Sequence, residues 1–180
     1  MNNRRIVTGH APNGKSVFLS DSAAPRTSEF RHVPGFVTSL VWETPPHAVV
    51  PAPAGDPSVV AKSWVPLPGG TNLMFVTFPP DSVMMSPSFD PAAAGGEYLQ
   101  LLPGLAEKFE RDSPGMHTTD SVDYDVLMDG EIHLELDDGV TTKLSPGDVV
   151  VQNGTRHAWR NMSSKPATML FVLVGAQRIQ

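Results

Sequence analysis

Along most of this chain, apolar and polar positions alternate with the two-residue period of β-strands. The alternation is clearest in the C-terminal third. "SVDYDVLM", residues 121–128, sets Val122, Tyr124, Val126 and Met128 on one side of a strand, which reads as its core face, with Tyr124 among the core residues. The turn Asp129-Gly130 follows. "EIHLEL" then places Ile132, Leu134 and Leu136 on one face and Glu131, His133 and Glu135 on the other, solvated face. "VTTKL", "VVVQ", "AWRN" and "PATMLFVLVG" read as further short strands, separated by the turns "DDG", "SPGD" and "NGTRH". In the last of them Met169, Phe171 and Leu173 alternate with Leu170, Val172 and Val174, a pattern expected of a strand buried on both faces. Short antiparallel strands joined by tight turns are the pattern of a barrel or sandwich.

The first 110 residues are less regular. "RRIVTG" and "SVFLSD" flank "APNGKS", a hairpin with Asn13-Gly14 at its tip. "GFVTSLVWE" at 35–43 and "TNLMFVTF" at 71–78 are strand candidates. Between them five prolines, at 45, 46, 51, 53 and 57, break regular structure. Residues 79–96 read as a loop whose Met84 and Met85 are placed to cap the barrel mouth. A helix is expected only in "EYLQLLPGLAEKFERD", split by Pro103-Gly104.

Composition narrows the function classes. The chain has 15 glycines and 18 prolines, which fits many turns and an all-β class. The net charge is −6 without a basic cluster, so no nucleic-acid partner is expected. No apolar run is long enough to span a membrane. The start, "MNNRRIVTGHAP", lacks an apolar signal core, and a cytoplasmic location is the expectation. The absence of cysteine rules out disulfides, thiolate metal sites and cysteine nucleophiles.

The chemistry concentrates in two stretches. One is "GMHTTDSVDYDVLMDG", residues 115–130, with His117, Thr119, Asp123 and Gly130 in fixed spacing. The other is "PGDVVVQNGTRHAWRN", with Gly147, Gly154, His157 and Asn161. Together they resemble the cupin superfamily. Its first motif runs G-x5-H-x-H-x3,4-E-x6-G, and its second closes on G-x5-P-x-G-x2-H-x3-N. Thr119 stands where the first motif has its second histidine. Asp123 stands for the glutamate and Arg111 for the leading glycine, and the proline position of the second motif falls on Gln152 or Asn153. The resemblance spans about residues 115 to 175 and is nearest to small single-domain cupins with an N-terminal extension, some of them tailoring proteins of polyketide pathways. It implies a single double-stranded β-helix, the jelly-roll cupin barrel. Residues 111–180 would be the conserved core and 1–110 an extension packed on it, its strands lengthening one sheet or wrapping a partner. A homodimer is the expected assembly.

The resemblance also implies a ligand set, His117, Asp123 and His157, for a divalent metal: Fe first, with Zn, Mn or Ni as alternatives. His117, Thr119, Ser121 and Asp123 share parity on a continuous strand and would face one cavity. The Thr119 hydroxyl is positioned for a water or a substrate oxygen. Without metal, His157 and Asp123 form an acid–base pair. Trp159, Ser121 and Arg156 are the pocket candidates, and Asp120, Asp125, Asp129, Asp137 and Asp138 read as solvated turn and edge residues. His10, His32 and His47 are distant in sequence and are the reserve candidates for the ligand position that Thr119 leaves open. Three readings stand: a metal-dependent oxygenase or lyase acting on a small oxygenated molecule, a metal-independent lyase or isomerase, and a ligand-binding cupin without turnover.

Overall fold

The computed structural model describes residues 3–179. Eleven strands are present among them: β1 (Arg4–His10), β2 (Ser16–Ala23), β3 (Arg26–Glu29), β4 (Val37–Thr44), β5 (Thr71–Phe78), β6 (Ser121–Asp129), β7 (Ile132–Glu135), β8 (Thr141–Leu144), β9 (Val149–Gln152), β10 (Ala158–Arg160) and β11 (Ala167–Gly175). Two α-helices join them, α1 (Pro57–Val60) and α2 (Pro91–Leu101). The principal sheet has the order β3-β4-β5-β11-β6-β9, and a smaller one the order β10-β7-β8. The two share one core, in which Leu127, Met169 and Phe171 of the large sheet pack with Ile132 and Leu144 of the small one. This is an all-β jelly roll: the alternation predicts its strands, and the resemblance to cupins its barrel form.

The N-terminal segment divides. β11 lies between β5 and β6 and pairs with β5 from Ala167 opposite Phe78 to Val174 opposite Thr71. β3, β4 and β5 therefore lengthen the sheet that carries β6. The β1–β2 hairpin instead forms a sheet of its own. It is anchored by the buried Arg5, which donates to Val41 O at 3.0 Å and to Asp56, and lies over the Trp42 ring.

Three local expectations change. The first is the phase of β6. Ser121, Asp123, Asp125 and Leu127 are its buried residues, while Tyr124 and Met128 are about half exposed. The residues that the apolar alternation assigned to the core thus face outward, and Asp125 is inside, not solvated. The cause is the ladder: Asp123, Asp125 and Leu127 stand opposite Leu173, Phe171 and Met169 of β11, whose side chains point into the core. The second is the helix. α2 starts at Pro91, inside the stretch read as loop, because Asp90 caps it by accepting from Ala92 N and Ala93 N at 2.9 and 3.1 Å. The third is the methionine pair: Met85 is 82% exposed and caps nothing. The segment that leans on the barrel is α2, whose Tyr98 ring lies 5.8 Å from Phe109 and 5.4 Å from Phe36.

Two glycines at motif positions hold the frame. Gly130 has φ 86°, and a Cβ there would lie 2.5 Å from Pro166 O, so the β6–β7 turn closes only on glycine. Gly154 has φ 60° and packs its turn against the carbonyls of Thr119 and Ser121. Asn161, fully buried, donates to Phe78 O and Lys165 O at 3.0 and 2.8 Å, which ties the loop after β10 to the end of β5.

Candidate functional site

Two imidazoles are brought together by backbone pairing. His117 N donates to His157 O at 2.9 Å and His157 N donates to His117 O at 3.0 Å. A reciprocal antiparallel pair of this kind sets both side chains on the same face. The rings sit 4.3 Å apart, centroid to centroid, with nothing between them. Phe109 bridges to His117 on the other side and adds its own ring at 4.9 Å.

Each imidazole is also fixed in tautomer. His117 Nδ1 lies 3.0 Å from Gly115 O, and His157 Nδ1 lies 3.0 Å from Thr155 O. A carbonyl oxygen can only accept, so each Nδ1 carries the proton and each Nε2 keeps a free lone pair. Both rings are buried. Burial pushes the His157 pKa down to about 4, with the neighbouring His117 adding to the effect and the Thr155 bond opposing it. Burial lowers His117 as well, against the opposing pull of the Gly115 bond and of Glu110. At neutral pH both imidazoles are uncharged acceptors. Gln152 braces this corner: its Nε2 donates to Thr155 O at 3.1 Å, the same carbonyl that holds His157.

The carboxyls lie on the inner face of the large sheet. Asp123 stands opposite Gln152 on β9 and Leu173 on β11, and Asp125 stands opposite Val150 and Phe171. Asp123 Oδ1 and both oxygens of Asp125 are buried without a hydrogen-bond partner in the protein. Burial raises the Asp123 pKa to about 6, opposed by a hydrogen bond from Ser121. Burial raises Asp125 to about 8, and the neighbouring Asp123 adds to the effect. In the hydrogen-bond geometry the single Ser121 hydroxyl proton goes to Thr119 Oγ1 at 2.9 Å, and both hydroxyls are buried. Asp125, expected to be solvated, is instead buried, and its parity with Asp123 is the signal that points to the interior.

Trp159 joins the two halves. Its ring is 5.9 Å from His157 and 5.6 Å from Phe171, and Phe171 is the partner of Asp125 across the ladder. Arg156 lies elsewhere. Its guanidinium is committed to Glu110, with two bonds of 2.7 Å, and to Asp137 at 2.8 Å, on the outside of the barrel. His10, His32 and His47 are exposed and stand apart from the pair. Asp148 accepts from Ser145 N at 2.8 Å and is a turn residue.

The expected metal set is brought together only in part. His117 and His157 converge, and their Nδ1–carbonyl bonds are the kind that orient metal-binding imidazoles. Asp123 does not join them: among the described residues no group of three His, Asp or Glu side chains is placed to hold an ion. Thr119 occupies the place where a third imidazole would stand, and an aspartate reaches one methylene less than the glutamate of the motif.

These features define a small β-barrel protein with a polar site on an otherwise apolar inner wall. Residues 110–173 match the family model of the cupin domain, so that segment of the chain is cupin-like. Phomopsin biosynthesis cluster protein C' of Diaporthe leptostromiformis is 50% identical over 66 residues, 36% of this chain and 35% of that protein. The chain thus spans about a third of the length of the curated relatives it matches at this identity. Cupin-domain-containing oxidoreductase fogC of Aspergillus ruber is 26% identical over 173 residues, 94% of this chain and 71% of that protein. Among solved structures, a Cupin 2 conserved barrel domain protein from Salinispora arenicola is 18% identical, covering 57% of this chain and 61% of that one with a TM-score of 0.36.

Proposed function

We propose that this protein is an enzyme of secondary metabolism that moves protons on a small oxygenated organic molecule, as a lyase or isomerase. The observation that carries the reading is the facing pair of uncharged imidazoles, each with Nδ1–H spent on a carbonyl and Nε2 free. His157 Nε2 is the base: it takes the proton from the carbon next to a carbonyl, and the electron pair moves onto the carbonyl oxygen as an enolate. Asp123 is the acid that supplies a proton to that oxygen. As the enol O–H returns its proton to Asp123 and the C=O bond re-forms, the His157 proton goes back to carbon, which completes an isomerisation, or to a departing β-hydroxyl that leaves as water, which completes a dehydration. General acid–base catalysis of this kind contributes about 10²–10⁴-fold. The relatives named as biosynthesis cluster proteins support a place in secondary metabolism.

The test is α-proton exchange in D₂O on ethyl acetoacetate and acetylacetone, followed by NMR with EDTA present. The reading expects catalysed exchange that falls at least ~10²-fold in His157→Gln, the scale of one lost general base. No exchange above buffer with either probe would sink it.

A second reading is a metal-dependent oxidoreductase. It is favoured by the printed names of several relatives, cupin-domain-containing oxidoreductases, and by the free Nε2 lone pairs of His117 and His157. Stoichiometric Fe in purified protein, lost in the double variant His117→Ala/His157→Ala, would select it over proton transfer.

A further inference from the structure

We propose that the barrel interior selects an uncharged, flat, largely apolar molecule bearing a hydroxyl, and that Asp125 is the specificity residue that accepts a hydrogen bond from that hydroxyl. The proposal deepens the reading above and rests on it for the location of the substrate.

Asp125 is 1% exposed, and neither of its oxygens has a hydrogen-bond partner in the protein. A buried polar group without a partner costs about 1–3 kcal/mol, so a fold that keeps one calls for an explanation. The surrounding residues offer no internal partner. On the ladder Asp125 stands between Phe171 and Val150, both apolar, and its nearest inward-facing polar neighbour on the strand is Asp123, another acceptor with an orphaned oxygen. In either protonation state a carboxyl keeps an oxygen that accepts. A donor carried in by a ligand is what this position lacks.

The same interior holds the imidazole pair. Phe171, opposite Asp125, touches Trp159, and Trp159 touches His157. The side chains between the carboxyl and the imidazoles, Phe171 and Trp159, are aromatic, and aromatic surface suits a flat apolar body. The polar groups at the two ends, the Nε2 atoms and the Asp125 carboxyl, each offer an acceptor lone pair.

Charge excludes an anion. Every lysine among the described residues is exposed. Arg156 is held by Glu110 and Asp137, Arg160 by Glu135 and Pro114 O, and Arg178 by Asp120 and Thr119 O. The buried Arg5 serves Asp56 and Ser58 beside β1. Arg26 donates to Ala61 O and lies over the Trp64 ring, and Arg4, Arg31 and Arg111 are exposed, so among the described residues no lysine or arginine is left to face Asp123 and Asp125 from inside the barrel. A carboxylate or phosphate ligand would bring a further charge into a wall that cannot pair it.

The experiment uses three probes of one shape on the full chain at pH 7: 4-ethylphenol, 4-ethylanisole and 4-ethylbenzoate, with affinities from calorimetry and saturation-transfer NMR. The phenol is expected to bind about tenfold or more tighter than either partner, the scale of one buried hydrogen bond. Asp125→Leu, similar in size and apolar, removes the advantage of the phenol over the anisole. Asp125→Asn keeps an acceptor oxygen and keeps most of that advantage, which preserves the test if the leucine variant fails to fold. Benzoate binding as tight as phenol, a phenol advantage that survives in Asp125→Leu, or binding of none of the three overturns the proposal. Because the ranking is read without turnover, it separates from the reaction. Correct ranking with no α-proton exchange defeats the proton-transfer reading alone, and exchange lost in His157→Gln with an unselective interior defeats this one alone.

Discussion

The pairing of His117 with His157 is a backbone event before it is a chemical one. Two reciprocal main-chain bonds bring the residues opposite each other, and two carbonyls, of Gly115 and Thr155, turn the rings so that Nε2 is free. The spacing of the two motifs made His117, Asp123 and His157 legible as candidates. It did not reveal that the imidazoles touch while the aspartate, further along on β6, does not complete a three-ligand group with them, because reach depends on side-chain length and on the fold of the turn between motifs. Gly130 sets one such turn. Gly130→Ala drives a Cβ into Pro166 O at a positive φ, and a loss of about 2–4 kcal/mol is expected in urea denaturation. An unchanged midpoint would show that the turn relaxes freely.

At the scale of elements, β6 is where the sequence misleads. Its apolar residues Val122, Tyr124, Val126 and Met128 match a core face by period, yet the strand turns Ser121, Asp123 and Asp125 inward. The candidate site at Asp123 and the apolar alternation demanded opposite phases, and register with β11 decided for the site. Conflicts of this kind between local pattern and fold are expected where function is built. α2 was missed at its start for a different reason. Gly95-Gly96 argue against helix by propensity, but Asp90-Pro91 supply a cap and a first turn. Asp90→Ala is expected to cost about 1 kcal/mol and to speed amide exchange in the first turn of α2. Exchange at the wild-type rate would remove the cap from the account.

At the scale of the molecule, the buried titrating groups shape stability against pH. Asp125 has a folded pKa of about 8 against an ordinary 3.8, so its contribution is complete below 3.8 and lost as pH rises through 8. Asp123 behaves likewise through about 6. His157, pushed down to about 4, works in the other sense: its contribution is present above the ordinary 6.5 and lost as pH falls towards 4. The opposed trends offset each other on the acid side. Above pH 6.5 the histidines are neutral in both states and Asp125 remains. Stability should therefore decline by on the order of 1–2 kcal/mol between pH 6.5 and 8, and the decline should vanish in Asp125→Asn. Parallel pH curves for the two proteins would contradict a neutral Asp125.

The chemistry depends on His117 and His157 being uncharged, with protons on Nδ1 and free lone pairs on Nε2. Long-range ¹H–¹⁵N correlation NMR of the imidazoles, followed from pH 8 to pH 4, reads this directly. The Nδ1–H tautomer is expected for both rings at pH 7, with His157 staying neutral until the pH approaches about 4. A His157 that titrates near 6.5, or that carries its proton on Nε2, would contradict it.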